Sequence, residues 1–98
     1  MSKWNYRFCV ETVPDGIGGT EDVWTVREIY YDDKGKPDGF TAEAASAQGS
    51  TFIQCANDLS RMGEGLQGPC YDITNGTLIE LPRGERFRSK QIREQSNA

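Results

Sequence analysis

Tyr30-Tyr31-Asp32-Asp33-Lys34-Gly35-Lys36-Pro37-Asp38-Gly39-Phe40 is the stretch on which the fold turns. It joins two aromatic-rich extended runs through a segment dense in Asp, Gly and Pro. Those residues tolerate or preset turn dihedrals, so the stretch reads as a β-hairpin corner. Asp32, Asp33 and Asp38 place three carboxylates within seven residues, but the spacing is not that of a calcium loop and Lys34 and Lys36 sit among them. Solvated turn residues are the better account of that cluster.

Upstream of the corner, residues 23–31 are dense in β-branched and aromatic side chains and form an expected strand. Trp24, Val26 and Tyr30 fall on one face and Val23, Ile29 and Tyr31 on the other, which suits a central strand covered in part on both sides. Before it, Trp4, Tyr6, Phe8 and Val10 alternate with Asn5, Arg7, Cys9 and Glu11, the period of two of a half-buried strand. Residues 14–22, with three glycines and a proline, are expected to form a long, mobile hairpin loop. Gly16-Ile17-Gly18-Gly19 lies there with Asp15, Glu21 and Asp22 beside it, and acidic flanks repel a phosphate.

Downstream, residues 40–45 are read as a third strand. Ser50 is the expected helix N-cap, and from Thr51 the apolar set Phe52, Cys55, Ala56, Leu59, Met62 and Leu66 recurs at three- and four-residue spacing. That pattern predicts one amphipathic helix with its apolar stripe on the sheet, ended by Gly63, Gly65 and Gly68-Pro69. Residues 70–81 hold two short extended runs around Asn75-Gly76, a strong hairpin signal. The expectation is an α+β domain over residues 1–81, β-β-β-α-β in order, with an antiparallel three- to four-stranded sheet and the helix packed on one face. From Pro82 hydrophobicity falls, leaving Phe87 and Ile92 as the sizeable apolar residues, and residues 82–98 read as a basic, disordered tail.

Charge divides at the same point. The 98 residues carry 15 acidic and 11 basic side chains, a net −4. Residues 82–98 hold five basic residues (Arg83, Arg86, Arg88, Lys90, Arg93) against Glu85 and Glu94, so the preceding 81 carry −7. An acidic body repels a phosphate backbone, which leaves the tail as the place for any nucleic-acid contact.

Histidine is absent, and with it the commonest general base at neutral pH. Cys9, Cys55 and Cys70 are an odd number without a C-x-x-C pair, which fits reduced thiols packed as small hydrophobes rather than a zinc site or disulfide framework. No metal, cofactor or catalytic group is expected. No apolar run approaches about 18 residues and no leader pattern opens the chain, so a soluble cytoplasmic protein is expected.

The aromatic set is the remaining candidate. Trp4, Tyr6, Trp24, Tyr30, Tyr31 and Phe40, with Phe8, exceed what one helix can cover. With only Arg7 and Arg27 interleaved they make a poor stacking platform for single-stranded nucleic acid, so a protein partner or a second copy is expected on the uncovered remainder.

The opening Trp4-Asn5-Tyr6-Arg7, together with the Tyr30 to Thr41 corner, resembles a family of small uncharacterised bacterial proteins with a W-N-Y-R start and a Y-Y-D-x-x-G-K-P hairpin. That resemblance implies no activity. More weakly, the element order, with Ala47-Gln48-Gly49-Ser50-Thr51 before the helix and Ala56 within it, is similar to the toxin-neutralising domain of HicB-type antitoxins, although their Pro-Asp-Leu-Pro-Gly-Cys segment is missing. The sequence therefore points to a non-enzymatic interaction module, expected to be a dimer, that binds a protein partner or itself through its aromatic sheet face or edge strand, with a tail-dependent nucleic-acid accessory or antitoxin-like regulator as the alternative.

Overall fold

The computed structural model describes residues 3–81; the basic segment 82–98, with Arg83, Arg86, Arg88, Lys90 and Arg93, lies outside the described residues. Two long strands dominate it, β1 (Lys3–Pro14) and β2 (Thr20–Tyr31), antiparallel from the Lys3↔Tyr31 pair to Pro14↔Thr20. Then follow β3 (Pro37–Phe40), the helix α1 (Phe52–Gly63), a 3₁₀ turn at Glu64–Gln67, β4 (Tyr71–Asp72) and β5 (Ile79–Glu80). The fold is α+β, but the sheet has five strands in the order β3-β2-β1-β4-β5 and is mixed. The excursion through the helix returns the chain to the free side of β1 running in the same direction, so Cys9↔Tyr71 and Val10↔Asp72 pair in parallel. No helix among the described residues is long and apolar enough to cross a membrane.

Both loops of the β1–β2–β3 meander are built alike. Asp15 Oδ1 accepts from the N–H groups of Ile17 and Gly19 at 2.9 and 3.0 Å, and Asp32 Oδ1 accepts from those of Lys34 and Lys36, both at 2.9 Å. In each loop the glycine three residues after the Asp, Gly18 or Gly35, takes a positive φ, 91° or 80°. The expected long loop is thereby reduced to five residues: the Asp15 side chain organises it, and Thr20, Glu21 and Asp22 belong to β2.

The third strand begins and ends earlier than expected. Tyr30 pairs with Gly39 and Tyr31 with Pro37, so Asp38 is the extra residue of a bulge. Beyond Phe40 the chain keeps two backbone–backbone bonds to β2, Thr41 N–H to Glu28 O (3.1 Å) and Ala45 N–H to Val26 O (2.7 Å), with an irregular detour between them. Arg27, only 9% exposed, holds that detour: its guanidinium donates to the carbonyls of Thr41 (3.1 Å) and Ala42 (2.7 Å) and to Thr25 Oγ1 (3.0 Å).

Because successive strand residues face opposite ways, the neighbours Cys9 and Val10 belong to different cores. Cys9, Ile29, Tyr71 and Ile73 form one, with Tyr31, Phe40 and Leu78 against it; Val10, Cys70 and Leu81 form the other, with Phe8 and Trp24. The helix approaches the second face, and its cap is Thr51 rather than Ser50, with Oγ1 accepting from the Gln54 N–H at 3.1 Å. Ser50 instead donates to Gln54 Oε1.

Candidate functional site

The helix does not bury the stripe its sequence advertises. Met62 is buried and Cys55 half-buried, but Phe52 is 86% exposed, Leu59 62% and Leu66 58%, with Ile53 beside them at 69%. The expectation of an apolar stripe on the sheet is corrected accordingly: only its Cys55–Met62 margin faces inward. What turns the helix is polar. Asp58 accepts from the Gln48 N–H at 3.0 Å and from the Tyr6 hydroxyl at 3.4 Å, while the Arg61 guanidinium lies 5.7 Å from the Trp4 ring. Beyond the helix, Gly65 sits against the β1 backbone, where a Cβ would come within 3.2 Å of Tyr6 O and 3.3 Å of the Arg7 Cα. These contacts leave Phe52, Ala56, Leu59 and Gly63 as one solvent-facing row of α1, since positions four and three residues apart stack along a helix, and Leu66 is exposed on the 3₁₀ turn that follows.

The six sheet aromatics divide between the faces. Trp4, Tyr6, Trp24 and Tyr30 lie on the helix side, and Tyr31 and Phe40 on the other. Trp4, 40% exposed, meets Tyr6 edge-on at 5.2 Å. Trp24 packs on the Val10 cluster, and Tyr31 and Phe40 pack on the Cys9 cluster. The Tyr31 hydroxyl donates to Asn5 Oδ1 at 2.8 Å and that of Tyr30 to Glu28 Oε1 at 3.1 Å. Desolvation, then the nearby Asp58 and Glu28 carboxylates, hold the Tyr6 phenol above its ordinary range, so it remains a donor.

Between the 41–48 segment and α1 lies an open cavity of about 410 Å³ with Tyr6 and the opposed Glu28 on its floor and Glu43 and Asp58 on its walls. Its lining is acidic and carries no basic side chain. Cys9 offers no nucleophile: burial pushes its thiol up to about 12, against a smaller lowering influence from Arg27. Asp33 is exposed and Asp32 spends one carboxylate oxygen on its own loop, in keeping with a structural corner.

No protein-family model, curated protein or solved structure matches the chain. The site therefore rests on its own geometry. The signal for it was present in the sequence as the helical periodicity of Phe52, Leu59 and Leu66; what periodicity lacks is the direction in which such a row points.

Proposed function

We propose that the protein is a non-enzymatic interaction module that docks another protein surface on the outward apolar row of α1. One observation carries this reading: Phe52, Ile53 and Leu59 stand on one short helix, with Leu66 on the 3₁₀ turn that follows it, each more than half exposed. Isolated apolar residues at a surface are ordinary, whereas a contiguous group of this kind marks an interface. The sheet aromatics support the same reading mostly as framework, fixing the helix through Tyr6 and Trp4, while Trp4 adds exposed aromatic surface. The absence of histidine and the raised Cys9 thiol favour binding over catalysis.

The test is to compare the wild type with Leu59→Glu for self-association in solution and for capture of proteins from lysate. The reading expects at least one of these in the wild type and its loss in the variant. A strictly monomeric wild type that also captures nothing would overturn it.

A further inference from the structure

We infer that the occupant of the α1 row is a second copy of this chain, its helix lying antiparallel across the first. This rests on the docking reading above and names the partner. The row alternates large and small side chains at four- and three-residue steps: Phe52, Ala56, Leu59, Gly63, Leu66. An antiparallel mate places each Phe52 over the other copy's Gly63 and each Leu59 over the other copy's Ala56. Every such contact is made twice, as a two-fold interface requires.

Gly63 is the informative position. It is helical, with φ −61° and ψ −22°, so its backbone does not call for glycine. A Cβ there would meet nothing within 4 Å, so packing within the chain does not call for it either. Glycine is nevertheless among the poorest helix formers. A notch on an exposed apolar row explains it, because it admits a large side chain from outside close to the helix backbone.

Charge and area agree with this occupant. The charged residues of α1 point elsewhere and are engaged, Asp58 with Tyr6 and Gln48 and Arg61 with Trp4. On a helical wheel the outer margin of the row within α1 is Ile53 and Ser60, so two copies of a net −4 chain meet along the helix without opposed like charges, the exposed Glu64 lying just past its end. At roughly 200 Å² per large apolar side chain, Phe52, Ile53, Leu59 and Leu66 leave about 500 Å² on each copy. Pairing that covers all of it buries at most about 1,000 Å² in total, the lower end of what a specific dimer needs, so the dimer is a weak one.

Sedimentation velocity on the full chain, from low micromolar to several hundred micromolar, tests this with the wild type, Leu59→Glu and Gly63→Ala. The expected result is a concentration-dependent wild-type dimer and a monomeric Leu59→Glu. Gly63→Ala should dimerise about tenfold or more weakly while its dilute, monomeric form is at least as heat-stable as the wild type's; a merely structural role for Gly63 would not separate the two. Dimerisation that survives Leu59→Glu, or is as tight in Gly63→Ala, overturns the inference. A monomeric wild type that holds a lysate protein through Leu59 also overturns it, while leaving the docking reading intact. So does a monomeric wild type whose α1 amides exchange faster after Phe87→Ser and Ile92→Ser, because the occupant is then the chain's own C-terminal segment.

Discussion

Arg7 and Arg27 face each other across β1 and β2, a placement that sets like charges opposite. They turn apart. Arg27 reaches the carbonyls of Thr41 and Ala42, and Arg7 NH1 donates to Tyr6 O at 2.8 Å and approaches Glu64 O at 3.5 Å. Cys9, two residues on and fully buried, is near enough to Arg27 to feel its charge, yet burial dominates and its thiol rises from 9.0 to about 12. The unfolded chain thus loses this proton near pH 9 and the folded one near 12, so above 9 the unfolded state binds fewer protons. Stability attributable to Cys9 is intact below pH 9 and lost as pH rises toward 12, by at most about 1.4 kcal/mol per unit. Tyr6, Tyr30 and Tyr71 are raised too, from 10.0, so their loss begins about one pH unit later and adds to the thiol's as pH 10 is approached. Urea unfolding at pH 8, 9 and 10 should show the wild type weakening above 9. Cys9→Ala, less stable at pH 8, should weaken less than the wild type over this range, its remaining decline being that of the tyrosines; an unchanged slope in that variant would refute the assignment.

At the level of elements, the local parts of the fold were legible and the long-range parts were not. The β1–β2–β3 meander follows from alternation at Trp4–Val10 and from the Asp and Gly of its loops, whose shared Asp-x-x-Gly spacing at Asp15 and Asp32 was there to be read. Parallel pairing of β4 with β1 was not, since two-residue strands carry no periodicity and their partner lies some 60 positions away. The helix was legible as an element, but a stripe of apolar residues does not state what it faces. The same holds for residues 40–45, read as a strand although beyond Phe40 their path is set by the Arg27 guanidinium between two backbone bonds to β2. Arg27→Met removes the donors to Thr41 O and Ala42 O and leaves those carbonyls without their charge-assisted bonds, at a cost of about 2–3 kcal/mol. Limited proteolysis of the variant should cut first within residues 41–48, the wall of the acidic cavity. Arg27→Lys should recover little, because an ammonium lacks the planar fork that spans two carbonyls and Thr25 Oγ1 together. Cutting elsewhere, or full rescue by lysine, would show that the segment is held by other contacts.

For the molecule as a whole, the decisive quantity is how little is buried. Eight apolar residues form the core of the described chain, and the sheet divides most of them between its two faces. A domain of this size is left with a small margin, on the order of 5–10 kcal/mol, and covering one more apolar surface is a substantial addition to it. The row on α1 is such a surface, and burying it in a second copy couples folding to concentration: a dimer that unfolds to two separate chains becomes harder to melt as protomer concentration rises. A tenfold increase adds about 1.4 kcal/mol per dimer, which for two chains of this length raises Tm by roughly 3–5 °C. Melting followed by circular dichroism over two decades of concentration should show that rise in the wild type once dimer predominates. Leu59→Glu should melt at one temperature throughout, close to that of the dilute wild type, because Leu59 is 62% exposed in the single chain and its replacement removes little internal packing. A wild-type Tm independent of concentration would mean that the small core stands alone and that the apolar row is left to a different partner.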